Sequence, residues 1–136
     1  MLSGVGGFGE GNVMKLKVGD KVTPRYKGRI ITEYEVKGIA KLTQPAVYED
    51  DTMGGKVSFN PTIILLESTA DGHRELWFPY WIATPGTKGK ERYGQFAPMY
   101  GEDCFLPLLR DAIRQGFFSK DFLNELAHEL DGALSE

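Results

Sequence analysis

The sequence predicts an α+β protein: a strongly bent antiparallel sheet of five to six strands, with a C-terminal αα-hairpin packed on it. Three observations carry that expectation. From Met14 to about Phe96 the chain runs in short segments of alternating apolar and polar residues, separated by Gly, Pro and Asp turns. The run His73–Ile82 holds both tryptophans and is the densest aromatic stretch. From residue 101 onward the period changes, and Phe105, Leu108, Leu109, Ala112 and Ile113 recur at helical spacing.

Taken in order, residues 1–13 are Gly-rich and read as a flexible tail ahead of one domain, 14–136, made of a sheet part (14–100) and a helical part (101–136). Met14 opens a segment that reads as an ordinary beginning. Val18-Gly19-Asp20 turns the chain into Lys21–Tyr26, where Val22, Pro24 and Tyr26 alternate with Lys21, Thr23 and Arg25. Pro24 lacks a ladder donor, so an edge or a bulge is expected there. Lys27-Gly28 leads into one long strand, Arg29–Leu42, with Tyr34, Val36, Ala40 and Leu42 on one face and Gly38 marking a bend or bulge. Residues 43–57 read as a loop, because Pro45, Asp50, Asp51, Gly54 and Gly55 are turn formers.

Val57–Glu67 resumes strand character, with Ile63–Leu66 apolar on both faces. Ala70-Asp71-Gly72 is a hairpin signal leading to the aromatic strand. As a strand, His73–Ile82 puts Leu76, Phe78, Tyr80 and Ile82 on one face and Glu75, Trp77, Pro79 and Trp81 on the other. That strand is apolar on both sides and so needs cover on both, which makes it the expected organising element. Tyr93–Phe96 is a short last strand. In the helical part Pro107 is expected in the first turn, Gly116 at the stop, and Ser119 at the second N-cap with Phe118 and Leu123 as a staple. The hairpin's apolar stripes, including Phe122, Leu126, Leu130 and Leu134, are expected to dock on the second face of the aromatic strand.

The order Val-Gly-Asp-Lys-Val, a short strand, Tyr-Lys-Gly-Arg and a long bent strand resembles the SH3-like small barrels, best over residues 18–42. The resemblance is one of fold. That superfold hosts peptide binders, nucleic-acid binders and structural subunits, so no function follows from it.

Composition bounds the classes. With 136 residues, 41% apolar and 26% charged, the chain can bury a core and is not disordered throughout. No apolar run approaches the length of a membrane helix. There is one cysteine, Cys104, and no secretory leader pattern, which fits a cytoplasmic protein. The net charge of −3 is unevenly spread. Residues 12–48 hold eight Lys or Arg against Asp20, Glu33 and Glu35, while residues 101–136 hold eight Asp or Glu against Arg110, Arg114 and Lys120. Such asymmetry marks either a nucleic-acid surface with an acidic appendage or, the favoured reading, a basic part and an acidic part that pack within one fold or across a dimer.

Motifs for chemistry are sparse. Gly4–Gly9 matches the dinucleotide pattern but lacks the strand before it and the helix after it. Gly89-Lys90 is not a Walker loop, and no serine sits in a nucleophile elbow. Glu125 and His128, the trio Asp71, His73 and Glu75, and Glu49-Asp50-Asp51 are read as solvated groups rather than metal ligands. Cys104, near a helix start, has the position for a lowered pKa but no evident base. No catalytic residue, metal or cofactor is therefore assigned.

The expected function is a non-enzymatic interaction or adaptor module that binds another protein or a second copy of itself through Trp81, Tyr93, Phe96 and Tyr100. The alternative is a single-strand nucleic-acid binder, with Lys88, Lys90, Arg92, Arg25 and Lys27 beside stacking aromatics. An enzyme of unrecognised type is the third reading. No membrane role is expected.

Overall fold

A computed structural model describes residues 16–30, 32–94 and 97–136. The predicted Gly-rich tail and Phe96 lie outside the described residues, as do the side chains of Arg25, Tyr26 and Ile30. The sheet is antiparallel, curled into a half-barrel and seven-stranded, and two helices follow it.

Its axis is β6 (Gly55–Ser68), fourteen residues long, rather than the aromatic segment. On one side β6 pairs with β5 (Ala46–Asp50) and β4 (Tyr34–Lys41), one after the other. On the other side it pairs with β8 (Tyr80–Ala83) and β7 (Arg74–Trp77). Strand β1 (Lys21–Val22) edges β4, and β9 (Arg92–Tyr93) edges β8. A separate two-stranded hairpin, β2 (Arg25–Tyr26) and β3 (Arg29–Ile30), turns at Lys27 and Gly28, both at positive φ. The single long strand expected over Arg29–Leu42 is thus divided into β3 and β4.

The segment read as a loop, 43–57, contains β5 and its turn into β6. Val47, Tyr48 and Glu49 are all exposed, so β5 has no alternating burial to betray it. Its backbone bonds to β6 supply the order instead. Asp50 accepts from Thr52 N at 2.9 Å, and Gly54 at φ 88° closes the hairpin.

The aromatic segment breaks at Phe78-Pro79, yet its register does not shift: Trp77 stands opposite Ile64 and Tyr80 opposite Pro61. Pro79 has no N–H to give, so the ladder is one-sided there. Its carbonyl accepts from both Thr62 N (3.0 Å) and the buried Thr62 Oγ1 (2.7 Å).

Two cores lie on opposite faces of β6. The inner one gathers Val22, Tyr34, Val36, Ile64, Leu66, Trp77 and Trp81, so the indoles face inward together as alternation requires. The outer one gathers Ala40, Ile63 and Leu65 with Leu108, Ala112 and Phe117 from the helical part. Strand β4 serves both cores because its register shifts between Val36 and Gly38. The sequence reading placed Tyr34, Val36, Ala40 and Leu42 on one face; the bulge turns the second pair to the outer face. Gly38 is required by what packs on it. A Cβ there would lie 2.4 Å from Phe117 Cε1, in the space the buried ring fills.

Helix α1 (Glu102–Arg114) covers this outer face over β4 and β6. It starts earlier than expected, which puts Pro107 in the second turn. The cost is one missing bond, to the Asp103 carbonyl. Asp111 Oδ2 accepts from Lys41 N (3.1 Å), and Gln115 Nε2 donates to Ile39 O (2.7 Å), pinning the helix to β4. The helix ends as expected at Gly116 (φ 78°), where Gly116 N→Ile113 O and Phe117 N→Ala112 O form a Schellman pair. Ser119 caps α2 (Lys120–Leu134), accepting from Phe122 N at 3.1 Å. Phe118 stacks on Phe122, one residue short of the expected staple partner.

The second face of the aromatic strand is not where the helices dock: Trp77 and Trp81 are buried in the inner core, which holds no helix residue, while α1 packs over β4 and β6. No residue of α2 is buried. No helix among the described residues is long and apolar enough to cross a membrane.

Replacing Gly38→Ala is expected to destabilise the protein by about 1–3 kcal/mol through overpacking against Phe117. Urea unfolding of Gly38→Ala, Phe117→Ala and the double variant measures the coupling. If the two costs simply add, the steric account is wrong.

Candidate interaction surface

The outer surface of the helical part is built from two apolar stripes, each edged by unneutralised charge. On α1, Leu108 and Ala112 point to the sheet, and the opposite side carries Leu106 (56% exposed) and Ile113 (38%), seven residues apart. Arg110 and Arg114, one turn apart, edge that stripe. With Lys41 they line a solvent-open groove of about 340 Å³ between α1 and the end of β4. Among the described residues, none of these three cations forms an ion pair. The carboxylate between them, Asp111, is engaged by Lys41 N and Gln115.

On α2 the helical spacing gathers Phe122, Leu123, Leu126, Leu130 and Leu134 into one arc. Phe122, Leu130 and Leu134 are 48%, 55% and 85% exposed. Asp121, Glu125 and Glu129, spaced i, i+4 and i+8, run along one edge of that arc. None has an ion-pair partner among the described residues.

The residues expected to carry binding fall elsewhere. Trp81 is 2% exposed and lies in the inner core, with Tyr93 packed edge-on against it at 5.9 Å. Trp81 is thus withdrawn from the surface, while Tyr93 is half-buried against the inner core. Tyr100 is half-buried, wedged between Phe59 (5.9 Å) and Phe105 (6.3 Å), where it joins the approach to α1 to the sheet. Of the nucleic-acid set, Lys27, Lys88 and Lys90 are exposed and Arg92 is half-buried on β9. Of the aromatics that were to stack beside them, Trp81 is buried and Tyr93 is half-buried against the inner core. The exposed apolar surface that sequence reasoning passed over is α2's arc, which it assigned to the core because amphipathic spacing does not say what covers the stripe.

The cluster around His73 is more ordered than a solvated hairpin flank. His73 Nδ1 donates to Asp71 Oδ1, and Nε2 lies 3.3 Å from the Tyr34 hydroxyl, which donates to Glu75 Oε2 at 2.9 Å. In this chain of bonds the doubly protonated imidazole finds an acceptor for each N–H. The hydrogen bond to Asp71 is the main cause that raises the His73 pKa, and the bond with His73's backbone N–H lowers that of Asp71. Burial, then the bond to Glu75, raises Tyr34, so the phenol keeps its proton. A pocket of about 130 Å³ opens beside it with mainly apolar walls, including Pro24, Leu66, Leu76 and Trp77. Tyr34 and Glu75 reach this pocket, and His73 does not line it. The Cys104 thiol is pushed up, not down, by burial and then by Asp103, which removes the basis for a reactive thiolate. Among the described residues, no three His, Cys, Asp or Glu are placed to hold a metal ion.

Comparisons with protein-family models, with curated proteins and with solved structures find no match.

His73 is expected to titrate above the ordinary value of about 6.5, and Asp71→Asn to bring it back toward that value. The bonus from the charged imidazole is full below the unfolded-state pKa and fades as pH rises through the raised one. Two-dimensional NMR of the imidazole resonances against pH measures this. A His73 pKa at or below the ordinary value would contradict the bonding pattern.

Proposed function

We propose that the chain is a non-enzymatic interaction module on a small-barrel scaffold of the SH3-like kind, with α2 as its docking element. One observation carries this reading: α2 is a fifteen-residue amphipathic helix none of whose residues is buried. A helix of that length is marginal in water by itself, since stability in proteins comes mainly from packing an apolar face. Its propensities and the Ser119 cap help, but the cap contributes only about 1 kcal/mol. A contiguous exposed arc edged by charge is the pattern of a protein-binding surface, an apolar centre with a polar rim.

The scaffold supports the reading by what it does with its other groups. The indoles are packed inside, the Tyr34 phenol and Cys104 thiol hold their protons, and the His73 imidazole is tied at both nitrogens. The partner surface that fits α2 is apolar with a cationic edge, because Asp121, Glu125 and Glu129 flank the arc on one side.

If α2 serves a partner rather than the fold, Leu130→Ser with Leu134→Ser leaves unfolding in dilute solution within about 0.5 kcal/mol of the parent. Leu108→Ala in the outer core is the control and is expected to cost about 2–5 kcal/mol. A loss in the α2 variant comparable with that control would make α2 part of the fold and end the docking reading.

A further inference from the structure

We infer that the partner of α2 is a second copy of this chain, with α2 of each copy lying along the outer side of the other's α1, at the Lys41, Arg110 and Arg114 groove. This rests on α2 being a docking element, and it adds the identity of the partner. The argument is charge complementarity between two sets that remain unpaired within one copy. Two cations, Arg110 and Arg114, edge the Leu106 and Ile113 stripe with Lys41 across the groove from them, and three acids edge the α2 arc. Each set is spaced in helical turns: Arg110 and Arg114 are i, i+4, and the acids are i, i+4, i+8. A helix laid along a helix therefore brings them together repeatedly rather than once.

The imbalance runs through the whole element. From Ser119 to Glu136 the chain holds five acids and only Lys120. The groove holds three cations, and its single carboxylate is already bonded to Lys41 N and Gln115. Within one copy the two sets do not meet: among the described residues no ion pair joins them, and α2 holds no fully buried residue, only Leu123 and Leu126 being half-buried. A two-fold exchange uses each patch once per copy, so both arcs and both grooves are covered with no surplus face left for a third chain. Leu106 and Ile113, otherwise unexplained on a helix that already has its sheet face, become the floor on which Phe122, Leu126 and Leu130 rest.

Sedimentation equilibrium of the full chain at low and high salt, from about 1 to 200 µM, tests this. The expected result is a dimer that weakens as salt rises. Reversing Glu125→Arg and Glu129→Arg, or Arg110→Glu and Arg114→Glu, should each weaken self-association by about tenfold or more. All four positions are exposed, so the fold is left alone, and thermal unfolding of each variant checks that. Mixing the two reversed variants is expected to restore association, now between unlike chains. A monomer throughout the range overturns the inference and leaves α2 to a different protein. So does a dimer indifferent to both reversals, or a mixture that fails to recover. An α2 that proves necessary for stability fails in a different measurement, the unfolding of Leu130→Ser with Leu134→Ser, so the two failures are separable.

Discussion

Between Val36 and Gly38 strand β4 carries one residue more than β6 opposite it, and that displacement turns the strand over. Before it, Tyr34 and Val36 face the indoles; after it, Ala40 faces the helix. Without the bulge, strict alternation would send Ala40 to the inner face and leave the outer core without its β4 wall. The same place must also be nearly bare, since the Phe117 ring sits where a side chain would go. A glycine in a bulge thus fixes how β4 turns, where α1 lies, and how α1 ends, since Phe117 is the residue that closes the Schellman turn.

The two helices then have unequal roles. α1 has a sheet beneath it, two polar anchors to β4 and a buried Leu and Ala; burying the leucine alone is worth about 1.5–3 kcal/mol. α2 has a good cap and a favourable first turn with Asp121, but no fully buried residue; only Leu123 and Leu126 are half-buried. Both are amphipathic, so the difference lies in where each apolar face is delivered. With Gly38 and Ala40 as its seat, α1 takes the outer face of β4 and β6, and the chain leaves toward solvent. An apolar arc left in that position is the part of the molecule that most needs an explanation beyond its own fold.

At the other end of the sheet the polar groups are arranged to be satisfied. Tyr34, His73, Asp71 and Glu75 form a continuous chain of donors and acceptors that ties β4 to the start of β7. It carries a titratable imidazole, but its effect is to hold an edge of the half-barrel against a hairpin turn. On the adjoining face, Lys37 bridges Glu35 and Glu67, and Arg74 also binds Glu67, so the basic excess of the N-terminal part is partly spent within the sheet. Lys41, Arg110 and Arg114, beside α1, have no such partner among the described residues.

Much of this was legible along the chain. The strand-then-helix order, the hairpin at Ala70–Gly72, the shared face of Trp77 and Trp81, the stop at Gly116 and the cap at Ser119 follow from local chemistry: period, turn residues and hydrogen-bonding side chains. Such signals depend on neighbours a few residues away, so sequence carries them in full. What tertiary structure decided is non-local. β5 is ordered by the backbone of β6 rather than by its own residues, and Pro79 keeps register because Thr62 supplies two donors across the sheet. The faces of β4 were set by one extra residue whose register only the partner strand can define. Most of all, the spacing of Phe122, Leu126 and Leu130 announces an apolar face but not what meets it, because burial belongs to the assembled surfaces and not to the helix that carries the stripe.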